Sequence, residues 1–223
     1  MSRARRYIRS AMRGYMRAWH QVSLDGIENL PPGGPALLLT NHASFLDVPA
    51  VMSALPFEDL TLLASTRQLR KPVLGRILRA WDVIPVERNG RDLQAIRAIL
   101  RALEEGKVVG IAVEGRISTS GRLGPVHPAL AKLVIRAEVP AVPVAICGSW
   151  DALPLGSLVP RPRPVVVRVG APFTLPPEIE LEAATACIAE SIARLLPVHQ
   201  RPLTEEAEIS GAGRFTSKMR SHG

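Results

Sequence analysis

The chain has 223 residues and a formal net charge of +8; 47% of it is hydrophobic and only 4% aromatic. That size suits one domain whose core is built mainly from Leu, Val, Ile and Ala, and no uninterrupted apolar run approaches the ~20 residues needed to cross a bilayer. The basic excess expects an anionic partner: nucleic acid, anionic lipid or a phosphorylated substrate. Cys147 and Cys187 lie far apart, which excludes a disulfide framework and metal-type spacing; two buried thiols in a reducing compartment are expected.

The N-terminal segment has positive charge but no apolar core of the kind a secretory signal needs. Its arginines are Arg3, Arg5, Arg6, Arg9, Arg13 and Arg17, and the first acid is Asp25. Tyr7, Ile8, Ala11, Met12, Tyr15, Met16 and Trp19 recur at i, i+1, i+4 and i+5, which wraps one half of a helix and leaves the arginines on the other. Two readings stand side by side: a helix lying in a membrane interface, and a helix that covers the domain's own core with solvated arginines outside. A nucleic-acid arm is weaker, because the basic residues are not spread along an aromatic-lined sheet or groove.

From Gly33 onward strand-like and helix-like runs alternate. Strands are expected at 35–40, 60–65, 83–86, 108–113, 141–146 and 165–169, and helices at 45–54, 72–81, 91–105, 128–137 and 178–196. Such alternation predicts an α/β fold: a single domain with a mostly parallel central sheet flanked by helices, preceded by the amphipathic helix. The expected divisions are residues 1–24 for that helix, 25–200 for the domain and 201–223 for a polar, disordered tail.

At the end of the first strand stands Asn41-His42-Ala43-Ser44-Phe45-Leu46-Asp47. A histidine with a carboxylate is the minimum equipment for activating a hydroxyl, and open α/β sheets place their sites at strand C-termini. Residues five apart on a helix differ by roughly 140° in direction. His42 and Asp47 therefore meet only if His42 precedes the helix and folds back over its first turn. Ser44 is the expected helix cap. Taken on its own, the pair is better explained by a polar strand-to-helix turn with no chemistry.

Three further segments end predicted strands. Ile84-Pro85-Val86-Glu87-Arg88 offers Arg88 as a bidentate phosphate binder or an exposed turn residue. Val113-Glu114-Gly115-Arg116-Ile117-Ser118 delivers a carboxylate, a permissive glycine and an arginine to the sheet edge. Val139-Pro140-Ala141-Val142-Pro143-Val144 carries two prolines, so its strand should lie at an edge or begin at Pro143, or Pro143 should shape a pocket wall. His127, just before Pro128, reads as a helix-terminus residue that could contact a phosphate. A metal site on His42 and Asp47 lacks further closely spaced ligands, and a serine hydrolase on Ser44 lacks a Gly-x-Ser-x-Gly elbow.

In this order the segments resemble the motifs of the glycerolipid acyltransferase family, whose members include the 1-acylglycerol-3-phosphate acyltransferases. Residues 41–47 match N-H-x-S-x-x-D at every fixed position. Residues 84–88 resemble the second motif, 114–118 the third (F-P-E-G-T-R-S) and 139–144 the fourth (V-P-x-x-P-V). The third departs from the pattern: Ile117 stands where the family has arginine, and Arg116 stands one place early. The resemblance implies that His42 takes a proton from an acceptor hydroxyl and Asp47 fixes its tautomer, with backbone N–H groups at the helix start stabilising the oxyanion. It implies that Asn41, Ser44, Arg88, Glu114, Gly115, Arg116, His127 and Pro143 serve substrate binding. No bound cofactor or metal is implied. The expected partners are acyl-CoA or an acyl carrier protein thioester, a lysophospholipid acceptor and membrane lipids, with no nucleic acid, at the cytoplasmic face of a membrane. An acceptor other than lysophosphatidate, or a decayed membrane-binding protein, is the alternative left by the third motif.

Overall fold

The structure, a computed structural model, describes residues 3–87 and 93–202. Its centre is one seven-stranded sheet of β1 (Ser23–Asp25), β2 (Ala36–Thr40), β3 (Leu60–Ser65), β4 (Ile84–Val86), β5 (Val108–Ala112), β6 (Ala141–Cys147) and β7 (Val166–Val169), in the order β1-β7-β6-β2-β5-β3-β4. Every pairing is parallel except that of β6 with β7. The α/β class with a mostly parallel, helix-flanked sheet is thus the observed one.

The apolar runs explain the layering. All five residues of β2 and all seven of β6 are buried, as both faces of a parallel sheet must be when helices cover them. Along β2 the side chains alternate between two cores. Leu37 and Leu39 join Val109, Ile111, Ile99, Leu130 and Ile188 on one face, under α5 (Leu93–Glu104), α6 (Pro128–Ala137) and α8 (Leu181–Ala193). Ala36 and Leu38 join Met16, Val51, Leu55, Trp81 and Val144 on the other, under α1 (Arg3–His20) and α2 (Asp47–Ala54), with Trp81 directly after α4 (Pro72–Ala80). Short α3 (Thr66–Leu69) and α7 (Ser149–Ala152) were not expected from periodicity, nor was β1, whose three residues form a strand only because β7 offers them a partner.

Four expectations are corrected. The strand with two prolines is not at an edge: β6 lies between β7 and β2. Pro143 is tolerated because its missing N–H falls where the antiparallel partner bulges. Gly170 N–H bonds to the Pro143 carbonyl, and Phe173, three residues on, pairs with Ala141, only two residues away. Ser44 is not a helix cap: α2 begins at Asp47 with Leu46 before it and no side-chain cap. Cys147 is buried as expected, but Cys187 is exposed, off the face of α8 that buries Ala184, Ile188 and Ile192.

The fourth correction concerns α1. Its arginines are not all outside. Arg13 Nε donates to the Ser53 carbonyl at 2.9 Å, Arg9 to those of Leu55 and Phe57, and Arg5 to that of Leu60 while its guanidinium lies 4.7 Å from the Trp81 ring. Ser53 and Leu55 end α2, where carbonyls lack partners within the helix and carry partial negative charge. The helix therefore docks on the edge between its two halves, burying Arg5, Met16 and His20. Its exposed arc keeps Arg3, Arg6 and Arg17 beside Tyr7, Ala11 and Tyr15.

Candidate active site

β2 ends at Thr40, and the chain then crosses to α2 through a turn that holds the motif. His42 Nδ1 lies 2.8 Å from Asp47 Oδ2. The same oxygen accepts the backbone N–H groups of Ala43 at 2.7 Å and Ser44 at 2.8 Å. Three donors on one carboxylate oxygen fold the turn over the first residue of α2, which is the geometry the i, i+5 spacing demanded. Because Nδ1 donates to a carboxylate, Nε2 keeps its lone pair. Asp47 is buried while the His42 side chain is 19% exposed, so the base is reachable and its orienting partner is not.

Two other motif residues serve the frame. Asn41 donates to the Ile146 carbonyl at 3.1 Å and accepts the Ile146 N–H at 2.7 Å, fastening the turn to β6. Buried Ser44 donates to the Leu153 carbonyl at 2.7 Å and accepts the Leu46 N–H. With both roles filled, neither side chain is left pointing at a ligand. Among the expected oxyanion donors, the N–H groups of Ala43, Ser44, Leu46 and Asp47 are bonded within the turn.

A pocket opens beside His42 and Asp47. Apolar Val48, Val51, Leu62, Ile111 and Ile146 line it, and Ser65, Gln68, Arg116 and Ile117 supply the more varied part of its wall. Sequence reading did not find these apolar residues. The available signal was Gly110, mid-strand in β5, where an added Cβ would stand 2.6 Å from Leu62 Cδ2.

The third motif forms a turn after β5. Gly115 has φ +65° with open space around it, so its backbone conformation rather than crowding asks for glycine. Arg116 and Ile117 both line the pocket, so the one-place shift on this loop keeps an arginine at the site. Glu114 Oε1 accepts the Gly124 N–H at 2.9 Å, and buried Oε2 has no hydrogen-bond partner. Burial pushes the Glu114 carboxyl up to about 7, against the opposing pull of the Gly124 N–H and of nearby His42.

The remaining candidates lie apart. His127 caps α6, its Nδ1 accepting the Ala129 N–H, and it is not part of the pocket wall. Pro143 is buried in β6 beside Leu39 and is not in that wall either. Arg88 lies outside the described residues. Among the described residues no group of three His, Cys, Asp or Glu is placed to hold a metal.

A family model described as Acyltransferase matches residues 21–147, more than half of the chain. The chain belongs to the acyltransferase family. The matched span contains all four motif segments and runs from the end of α1 to the end of β6. The chain is 27% identical over 142 residues to a chloroplastic 1-acyl-sn-glycerol-3-phosphate acyltransferase of Brassica napus, covering 62% of this chain and 41% of that one. It is 25% identical to a 1-acyl-sn-glycerol-3-phosphate acyltransferase of Cocos nucifera, covering 92% and 68%. It is 30% identical to an uncharacterized protein of Mycobacterium tuberculosis, covering 66% and 43%. The chain thus spans about two fifths of the length of the Brassica relative. The crystal structure of the 1-acyl-sn-glycerophosphate acyltransferase PlsC from Thermotoga maritima shares the acyltransferase fold, with a TM-score of 0.69 at 18% identity over 86% of this chain and 80% of that one.

Proposed function

We propose that this acyltransferase-family protein moves a fatty acyl group from an acyl thioester to a hydroxyl of a lysophospholipid, with 1-acylglycerol 3-phosphate as the first acceptor to consider. The observation that carries the reading is the oriented His42–Asp47 pair in the wall of a largely apolar pocket. In the proposed reaction His42 Nε2 takes the acceptor's hydroxyl proton as the oxygen attacks the thioester carbonyl. The tetrahedral intermediate collapses with cleavage of the C–S bond, and the leaving thiolate takes the proton back from His42. Asp47 holds the tautomer and stabilises the transient imidazolium. Nothing requires an acyl-enzyme, since Ser44 is buried and committed to Leu153. The acyl chain fits along Val48, Val51, Leu62 and Ile146, and Arg116 meets an anionic group of the acceptor or donor.

The thioester is coenzyme A or acyl carrier protein. The site works at a membrane surface, on the cytoplasmic face, with α1 as a peripheral anchor; among the described residues no helix is long and apolar enough to cross a membrane. Ile117 at the pocket wall favours a second reading, in which the acceptor is another lysolipid or a glycolipid. An acceptor screen with the purified protein and one labelled acyl thioester tests both. Transfer to lysophosphatidate supports the first, transfer to a different lysolipid the second, and transfer to none with the protein folded and membrane-bound contradicts both.

A further inference from the structure

The segment between α7 and β7, residues 153–164, contains Leu153-Pro154-Leu155-Gly156-Ser157-Leu158-Val159-Pro160-Arg161-Pro162-Arg163-Pro164. Leu158 is 94% exposed, Val159 73% and Leu155 41%. Three large apolar side chains exposed on one loop are costly in water and mark a contact surface. At the root of the loop, Arg161 and Arg163 line a pocket with Trp150, Asp151 and Pro154. The segment itself holds two arginines and no acid.

The loop is joined to α1. Trp19 Nε1 donates to the Pro160 carbonyl at 3.4 Å, the Val165 N–H bonds to the His20 carbonyl, and His20 Nδ1 lies 3.2 Å from the Arg163 carbonyl. With Nδ1 donating there, His20 Nε2 accepts the Tyr15 hydroxyl at 3.1 Å. Exposed Tyr15, Trp19 and Arg17 thereby continue into exposed Leu158, Val159, Arg161 and Arg163. Apolar and aromatic side chains beside arginines are the composition of a surface that enters the headgroup–acyl boundary of an anionic bilayer. The loop is also anchored to the catalytic turn, because Ser44 donates to the Leu153 carbonyl and the Arg161 N–H closes the loop base on the Ala152 carbonyl.

We propose that the 153–164 loop is a second bilayer-contacting element: Leu155, Leu158 and Val159 enter the lipid boundary while Arg161 and Arg163 meet anionic lipid phosphates. The proposal rests on the reading that the acceptor is a membrane lipid. Seating α1 and this loop on one surface brings the His42–Asp47 turn, tied to the Leu153 end of the loop through Ser44, to the level at which a lipid hydroxyl is presented.

The test uses the full chain as Leu158→Cys with Cys187→Ser, labelled with an environment-sensitive dye. On vesicles of phosphatidylcholine with phosphatidylglycerol, the dye emission should shift to the blue and be quenched by brominated acyl chains. Leu158→Ser combined with Val159→Ser, at positions too exposed to matter for folding, should lower the partition coefficient onto these vesicles about tenfold with an unchanged unfolding temperature. Arg161→Gln with Arg163→Gln should weaken binding in proportion to the phosphatidylglycerol content. An unshifted dye on protein that co-sediments with the vesicles would overturn the proposal, as would undiminished partitioning of the Ser double variant. Acyl transfer by the wild type to detergent-dispersed acceptor is measured separately: its absence would sink the functional reading while leaving the dye result to stand or fall on its own.

Discussion

Asp47 Oδ2 stands 2.8 Å from His42 Nδ1 and also receives the backbone N–H groups of Ala43 and Ser44. One oxygen thus fixes both the turn and the imidazole on it. An asparagine carbonyl at this position accepts the same three donors but lacks the charge that stabilises the imidazolium, and an amide N–H turned to His42 Nδ1 forces the wrong tautomer. Asp47→Asn should therefore lower kcat on the order of a thousandfold with little change in KM. Steady-state kinetics of acyl transfer check it; a loss confined to KM would show that the carboxylate serves binding instead.

Ser44 separates a frame role from a nucleophile's. Its hydroxyl bonds Leu153 and Leu46 in a fully buried position, so Ser44→Ala should cost about 1–3 kcal/mol of stability and lower the unfolding temperature by several degrees. Acyl transfer should persist in the folded variant, and a serine-directed covalent probe should leave Ser44 of the wild type unlabelled. Complete loss of turnover in a fully folded Ser44→Ala protein would contradict this.

Glu114 gives a pH dependence with a definite sign. Burial raises its folded-state value to about 7 from an ordinary 4.5, so the folded protein favours the protonated carboxyl. The unfolded chain releases that proton first. The stability Glu114 contributes is fully present below about pH 4.5 and is lost as pH rises through about 7. Glu114→Gln, which keeps an oxygen for the Gly124 N–H, should remove this decline. Thermal unfolding of both proteins from pH 5 to 8 should show the difference moving in favour of the variant as pH rises. Parallel curves would mean that Glu114 ionises in the folded state as it does in the unfolded chain.

The arginines of α1 divide into two sets with different consequences. Arg9 holds two carbonyls near the end of α2, so Arg9→Ala should destabilise the fold by about 1–2 kcal/mol. Replacing exposed Arg3, Arg6 and Arg17 with Ala should leave the unfolding temperature nearly unchanged and weaken binding to anionic vesicles, as added salt does for the wild type. Equal effects of both sets on stability and on vesicle binding would erase the distinction.

Much of this was legible in the residues. The apolar runs of β2, β5 and β6 are near-continuous because helices cover both sheet faces, and that pattern specifies a parallel sheet without any tertiary information. The i, i+5 spacing of His42 and Asp47 dictated how the pair must meet. What stayed hidden depends on partners distant in sequence. Ser44 reads as a cap until Leu153 is brought beside it, and Pro143 reads as an edge residue until the bulge between Gly170 and Phe173 is seen. The arginines of α1 read as a solvated face until the carbonyl ends of α2 are placed under them. Periodicity gives the direction of a helix's faces, but it does not say which arc will dock.

The central claim is that His42 is the base for acyl transfer, and it is tested most directly by the turnover of purified His42→Ala with a labelled acyl thioester and the acceptor on which the wild type acts. The core does not depend on the imidazole, which is partly exposed at the pocket wall. The variant should keep the wild-type unfolding profile and lose transfer by at least about a thousandfold. Wild-type turnover in the folded His42→Ala protein would contradict the account.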